Sequence, residues 1–90
     1  MYFTYAIENT KTAKLYIGHT IDLQARINRH NGLLKSKPTS YTYKQQSKKG
    51  WQYIYVEAYK TRQEARIREK QLKTAQGRKF IKQLKINPGP

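Results

Sequence analysis

The sequence contains no cysteine, so neither a disulfide nor a thiolate metal site is available to this chain. It also has no apolar run approaching the roughly 20 residues that a membrane-spanning helix needs. The opening segment MYFTYAIENT has no basic region before its apolar residues, as a secretory leader would. These absences predict an intracellular, cytoplasmic protein without membrane segments.

Acidic residues are scarce, since five Asp and Glu stand against 19 Lys and Arg, for a formal net charge of +14. In a chain of 90 residues, long enough for one modest core, such an excess costs stability through self-repulsion. A polyanionic partner explains the excess, and nucleic acid is the first candidate. A membrane surface or an acidic protein would also explain the charge. Basic residues run from Lys11 to Lys85, so the domain itself is basic rather than a detachable tail.

The first half of the chain predicts two strands and a helix. The aromatic and β-branched run MYFTYAIE predicts one strand, and KLYIGH predicts a second that ends at Gly18. A helix is predicted from about Ile21 to Asn31, with Thr20 or Asp22 as its N-cap and Gly32 at its end. The following segment LLKSKPTSYTYKQQSKKG predicts a long basic loop.

The second half predicts one strand and two helices. WQYIYVEAY has two largely apolar faces, which predicts a central strand covered on both sides. One of these faces carries Trp51, Tyr53, Tyr55, Glu57 and Tyr59. Thr61 and Glu64 form a capping box for a helix that runs to about Ala75, and GRKFIKQL predicts a short third helix after Gly77. The predicted fold is α+β, a single domain over residues 1–90. Its three-stranded, mostly antiparallel sheet is flanked by helices in the order β-β-α-β-α-α.

The first predicted helix carries, on its inward stripe, two residues whose burial is unfavourable. At about 100° per residue, one third of the circumference holds Leu23, Arg26, Ile27 and His30. A half-buried arginine or histidine is unfavourable unless an anion compensates it. Alternatively, Arg26 forms a structural ion pair with Glu57 or Glu69, and His30 is a satisfied core histidine.

Further chemical groups lie on the second strand and the second helix. Lys14, Tyr16 and Gly18 share one face of the strand, and Tyr5, eleven residues before Tyr16, is expected to face Tyr16 across the hairpin. In a chain with few acids, Glu69 stands at the edge of the apolar stripe of the second helix. Core packing would also explain either tyrosine, and a salt-bridge network would also explain Glu69.

These residues follow one another in a recognisable order. YIG at Tyr16–Gly18 is followed by Arg26 ten residues after Tyr16, then by His30, and later by REKQLK with Glu69. This pattern, from Phe3 to about Ile81, resembles the GIY-YIG nuclease domain, and most closely its small stand-alone members. The YIG half of the signature is intact. In place of Gly-Ile-Tyr, the chain has Phe3-Thr4-Tyr5 and retains only the tyrosine.

The resemblance implies an enzyme that hydrolyses phosphodiester bonds, with catalytic residues Tyr5, Tyr16, Arg26, His30 and Glu69. Glu69 would bind a divalent metal ion, by default Mg²⁺ and alternatively Mn²⁺, because a carboxylate is a hard oxygen ligand. Arg26 would meet the charge that grows on the phosphorus. Either Tyr5 or Tyr16 would act on the attacking water with help from His30. That role requires Arg26, Lys14 and the metal to lower the phenol pKa from about 10.

The partner implied is nucleic acid, and DNA rather than RNA. The residues predicted to contact phosphates are Lys14, Lys35, Lys37, Lys44, Lys48, Lys49, Lys70 and Lys73. Lys14 and His19 lie near strand ends, where solvated side chains are ordinary. The family also carries a late asparagine, for which Asn87 and Gln76 remain alternatives. The rival function is an inert module that binds DNA or RNA, but an inert descendant should have lost Arg26 or Glu69, and both are present.

Overall fold

The computed structural model describes residues 1–32 and 50–86, with side chains up to residue 84. Its elements in chain order are β1 (Tyr2–Asn9), β2 (Leu15–Thr20), α1 (Leu23–His30), β3 (Trp51–Tyr59), α2 (Arg62–Leu72) and α3 (Ala75–Ile86). This confirms the predicted α+β fold and the order β-β-α-β-α-α. Within the described ranges, none of the helices is both long and apolar enough to cross a membrane.

The central strand of the sheet is β1, because the strand order is β2-β1-β3 with both pairs antiparallel. Residues Thr4 to Ile7 are all buried, since β1 has a neighbour on each edge and helices over each face. The prediction that the third strand is central is wrong, because β3 lies at an edge. Its two apolar faces reflect packing against helices on both sides of the sheet, which does not require a second neighbouring strand.

The β1–β2 hairpin places Tyr5 opposite Gly18 and Ile7 opposite Tyr16. The expectation that Tyr5 faces Tyr16 directly is therefore wrong by two residues. The register of a hairpin follows from where its turn closes. Here the turn closes on Asn9, whose side-chain oxygen accepts two backbone N–H groups of the connection at 2.9 and 3.1 Å.

A β-bulge in β3 changes which way its side chains point. Ile7 pairs with Tyr53 and Ala6 pairs with Tyr55, so Ile54 is an extra residue on β3. The alternation predicted from the sequence therefore breaks at Ile54, and the five residues assigned to one face divide between two. Trp51 and Tyr53 lie on the side of α1, and Tyr55, Glu57 and Tyr59 lie on the side of α2.

Helix α1 covers one face of the sheet. Asp22 is its N-cap, and the Asp22 carboxylate accepts the backbone N–H of Ala25 at 3.0 Å. The helix starts two residues later than predicted, because this cap fixes its first turn. After His30 the chain turns at Gly32, whose φ of 77° favours glycine. The core beneath α1 consists of Tyr5, Ile7 and Trp51, with Tyr16, Leu23, Ile27 and Tyr53 packed against it.

Helices α2 and α3 cover the opposite face. Thr61 caps α2, with its hydroxyl oxygen accepting the backbone N–H of Glu64 at 3.2 Å and its O–H donating to the Glu64 carboxylate at 2.9 Å. The N-cap half of the predicted capping box is therefore confirmed, whereas the Glu64 carboxylate bonds the Thr61 hydroxyl and not the Thr61 backbone N–H. Thr4 on β1 donates its hydroxyl to the carbonyl of Ala65 at 2.7 Å, which attaches α2 to the central strand. The core on this side consists of Ala6, Ile17, Leu72 and Ile81.

The junction of α2 and α3 differs from the prediction. Helix α2 ends at Leu72 rather than near Ala75, and α3 begins at Ala75 rather than after Gly77. Gly77 therefore lies in the first turn of α3, directly against the end of α2. A Cβ at this position would overlap backbone atoms of Gln71 and Leu72, so the two helices approach closely only because residue 77 is glycine.

Candidate active site

The Tyr5 hydroxyl forms hydrogen bonds with both polar residues of the inward stripe of α1. Arg26 donates its Nε–H to the Tyr5 oxygen at 3.0 Å, and the Tyr5 hydroxyl lies 2.9 Å from Nε2 of His30. Tyr5 is fully buried and His30 is 3% exposed. The predicted stripe on α1 is thus real, and in this structure a phenol oxygen accepts the Arg26 hydrogen bond.

Burial determines how this cluster is protonated. Burial, with the Arg26 cation as a second cause, lowers the pKa of His30 to about 4, so its imidazole is neutral at pH 7. In the tautomer that carries its proton on Nδ1, the neutral His30 accepts the Tyr5 O–H at Nε2, while the Tyr5 oxygen accepts the Arg26 N–H. Burial also raises the pKa of Tyr5, and Arg26 offsets this only in part. Arg26 alone therefore does not lower the Tyr5 pKa, because burial outweighs it, and the lowering expected with a bound metal ion stays a prediction.

Gly18 makes room for both tyrosines of the candidate site. A Cβ on Gly18 would lie 2.8 Å from the Tyr5 hydroxyl and 3.0 Å from Cε1 of Tyr16. The Tyr16 ring lies beside the cluster, with its centroid 6.3 Å from the Tyr5 ring and 4.9 Å from the His30 ring. Four of the five predicted catalytic residues, Tyr5, Tyr16, Arg26 and His30, are thus brought together on the α1 face.

Glu69 belongs to a separate cluster on the α2 face. Nδ1 of His19 is hydrogen-bonded to Oε1 of Glu69, and Nζ of Lys73 lies 2.6 Å from Oε2. Burial acts to raise the Glu69 pKa, but Lys73 and His19 together outweigh it and lower the pKa below its ordinary value. Glu69 is therefore an anion at pH 7 with one donor on each oxygen.

The two clusters are connected through neighbouring residues of β2. Gly18 contacts Tyr5 on one face of the sheet, and the next residue, His19, contacts Glu69 on the other. Successive residues of a strand point to opposite faces, and β2 is an edge strand. The candidate site thus straddles the β2 edge of the sheet.

His19 is the member of the site that the sequence analysis treated as an ordinary solvated residue. The alternation of side chains along β2 indicates which face of the sheet His19 occupies. Gly18 faces the α1 side, so His19 must face α2, the helix that carries Glu69.

The predicted phosphate contacts are only partly within the described residues. Lys14 and Lys70 are exposed, whereas the Lys73 ammonium is paired with Glu69. The other predicted contacts, Lys35, Lys37, Lys44, Lys48 and Lys49, lie outside the described residues. Asn87 lies outside them as well. Its alternative Gln76 lines a cavity of about 500 Å³ between α2 and α3, together with Gly77 and Phe80.

Glu57, another partly buried carboxylate on the α2 face, has a structural setting. It accepts hydrogen bonds from the hydroxyls of Tyr55 and Tyr59 and from Arg68, whose Nε–H donates at 2.9 Å. In the described part of the chain, the partner of Glu57 is Arg68 on α2 and not Arg26. The alternative of a structural ion pair between Arg26 and Glu57 or Glu69 is therefore wrong.

The small basic α+β domain thus carries a tyrosine–arginine–histidine cluster on one face of the sheet and an anionic glutamate on the other, on either side of the β2 edge. The family model described as the GIY-YIG catalytic domain matches residues 1–83, and the chain belongs to this family. The family consists of nucleases that act on nucleic acids and are generally dependent on divalent metal ions. Neither a curated protein nor a solved structure matches the chain.

Proposed function

We propose that this protein is a metal-dependent endonuclease that hydrolyses phosphodiester bonds in DNA. The observation that carries the proposal is the hydrogen-bonded cluster of Arg26, Tyr5 and His30. These three residues supply a cation, a hydroxyl and a neutral base within hydrogen-bonding distance of one another. The formal net charge of +14 supports a polyanionic partner of this kind.

Arg26 is proposed to stabilise the negative charge that develops on the phosphate during hydrolysis. It is half-buried, and its Nε–H binds Tyr5, so the guanidinium is held in place before substrate arrives. A preorganised donor of this kind costs no reorganisation when charge develops. Tyr16 also hydrogen-bonds the Arg26 side chain, and a guanidinium placed in this way can form paired contacts with phosphate oxygens.

Tyr5 and His30 are proposed to take up the proton that the attacking water loses. A phenol with a raised pKa is a poor base by itself, but its O–H is directed at a neutral imidazole. His30 can therefore receive the Tyr5 proton as Tyr5 takes one from water, so the phenol stays neutral and the proton resides on the imidazole, while the negative charge of the hydroxide passes to the phosphate. Tyr16, which touches the ring of His30, is the alternative base because it is less buried than Tyr5.

Glu69 is proposed to hold the divalent metal ion. Its lowered pKa makes it an anion at pH 7, and its oxygens suit a hard cation such as Mg²⁺ or Mn²⁺. The described residues contain no group of three or more side chains that could hold a metal ion. One carboxylate is enough for Mg²⁺ when water and substrate phosphates complete the coordination. The ion would supply charge neutralisation at the phosphate.

The test is cleavage of plasmid, linear duplex and single-stranded DNA, with RNA of the same sequence, in Mg²⁺, Mn²⁺ or EDTA. We expect metal-dependent cleavage of DNA, and we expect Glu69→Gln to abolish it while leaving DNA binding intact or tighter. Glu64→Gln makes the same chemical change on the same helix, away from the candidate site, and should leave cleavage unchanged. Cleavage by Glu69→Gln at the wild-type rate in Mg²⁺ would remove Glu69 as the ligand. Binding without cleavage by the wild type would favour an inert binding module.

A further inference from the structure

The two donors that hold Glu69 differ in how firmly they are placed. His19 comes from β2, 50 residues earlier in the chain, and its short side chain is positioned by the strand. Lys73 is the C-cap residue of α2, one turn after Glu69, and reaches the carboxylate through a long flexible side chain. The Lys73 side chain is 47% exposed, whereas that of His19 is 30% exposed and that of Glu69 is 16% exposed.

The two donors also occupy different oxygens. His19 is on Oε1, and Lys73 is on Oε2 at 2.6 Å. An ammonium at that distance and a divalent cation on the same oxygen would repel each other strongly. The imidazole N–H, by contrast, can remain bonded to a carboxylate that also binds a metal, and such a bond orients the ligand.

We propose that Lys73 is a resident counter-ion of Glu69 that leaves Oε2 when a divalent ion binds, and that the released ammonium then contacts the phosphate backbone of the nucleic acid. His19 remains on Oε1 as a positioning residue. This proposal rests on the proposed role of Glu69 as the metal ligand.

Two consequences follow for binding. Because Lys73 competes with the metal for one oxygen, its removal strengthens metal binding. Because Lys73 is free for phosphate only after it leaves Glu69, metal and nucleic acid strengthen each other's binding through this residue. The coupling needs no movement of the backbone, since a lysine side chain of this exposure can reorient in solution.

The first test measures Mn²⁺ affinity by electron paramagnetic resonance, without nucleic acid. Lys73→Gln should bind Mn²⁺ about two- to fivefold more tightly, the factor expected for loss of a partly exposed ion pair. Lys70→Gln is the matched control, because it removes an exposed cation from the same helix whereas the ammonium paired with Glu69 belongs to Lys73, and its effect should be clearly smaller. His19→Ala should act in the opposite direction and weaken Mn²⁺ binding, by about tenfold. Equal effects of the two lysine variants would overturn the proposal, as would tighter binding by His19→Ala.

The second test measures the affinity for a short DNA duplex in EDTA and in Ca²⁺, which serves as a hard divalent cation. Lys73→Gln should reduce the affinity clearly more in Ca²⁺ than in EDTA, because only in Ca²⁺ does it also remove a phosphate contact. Lys70→Gln should reduce both by similar factors. A similar loss for Lys73→Gln in both conditions would contradict the release of Lys73. Glu69→Gln separates this proposal from the proposed function. If the Glu69→Gln variant binds Mn²⁺ as tightly as the wild type, Glu69 is not the metal ligand.

Discussion

The two faces of the sheet hold their polar groups in different ways. On the α1 face, Tyr5 and His30 are buried and uncharged, and the cation Arg26 lies beside them. On the α2 face, the carboxylates Glu57 and Glu69 are each bonded to cationic or hydroxyl donors. The α1 face is therefore suited to receive an anion, and the carboxylate proposed to hold the metal acts from across the β2 edge.

Glu57 and Glu69, both on the α2 face, also differ from each other. Glu57 accepts bonds from two hydroxyls and from two nitrogens of Arg68, so its oxygens are fully used within the fold. Glu69 has one donor on each oxygen, and one of these is a flexible lysine. A carboxylate that can exchange a partner is available for function, whereas one with every partner built into the fold holds elements together.

Removing the cation of the α1 face should have the largest effect. We expect Arg26→Ala to lower kcat by about 10²–10³-fold, or about 3–4 kcal/mol, because its guanidinium would face charge that develops only in the transition state. DNA affinity should barely change, since Arg26 is one of 19 basic residues. Arg26→Lys should restore little activity, because an ammonium lacks the planar paired donors. Single-turnover cleavage beside a binding titration checks this.

Thermal melts of both Arg26 variants control for unfolding. Normal melts with cleavage at the wild-type rate would show that Arg26 is structural. Equal losses of binding and cleavage would make it an ordinary phosphate contact.

Two glycine substitutions, one on each face of the sheet, should differ in whether stability or cleavage is lost. Gly77→Ala should reduce the free energy of unfolding by about 1–3 kcal/mol, because the new Cβ forces α2 and α3 apart. Gly18→Ala should mainly reduce cleavage, because its Cβ would displace the Tyr5 hydroxyl from Arg26 and His30. Chemical denaturation and cleavage rates for both variants provide the comparison. Identical profiles for the two variants would contradict the assignment of chemistry to one face.

The protonation of His30 predicts how the α1 face responds to acid. The folded pKa of about 4 lies below the ordinary 6.5, so the unfolded state binds a proton more readily between these values. Stability should therefore fall as pH decreases from 6.5 toward 4, by on the order of 2 kcal/mol after allowance for solvent screening. Denaturation at several pH values should give a shallower slope for His30→Gln than for wild type. Equal slopes would place the acid sensitivity elsewhere.

The smallest expected effect belongs to Glu57. We expect Glu57→Gln to lower stability at pH 7 by about 1 kcal/mol, because it weakens a partly exposed ion pair with Arg68, and to leave cleavage unchanged. Burial acts to raise the Glu57 pKa, but Arg68 and the two tyrosine hydroxyls outweigh it and lower the pKa. The stability from this pair is thus present above the ordinary carboxyl pKa and lost as pH falls through the folded value. Melts across the acid range should show the difference between variant and wild type becoming smaller as pH falls.

The order of the strands and helices could be predicted from the sequence, and so could the four residues that meet on the α1 face. Helical periodicity placed Arg26 and His30 on the inward stripe, because that inference needs only local geometry. The pairing of Tyr5 with Gly18 rather than Tyr16 depends on where the hairpin turn closes. The long-range bond between His19 and Glu69 depends on how α2 lies on the sheet, which no local pattern contains.

The bulge at Ile54 also controls where negative charge lies on the molecule. One additional residue reverses the parity of the rest of β3, so Glu57 points to the same side as Arg68, and Val56 takes the place opposite Tyr5 on the α1 side. If Ile54 followed the regular alternation of the strand instead of forming the bulge, Glu57 would lie on the α1 side with Arg26 and would repel an approaching phosphate. A single bulge in an edge strand thus sorts charge between the two sides of the domain. Deleting Ile54 would remove the bulge and still leave Glu57 opposite Thr4 on the α2 side.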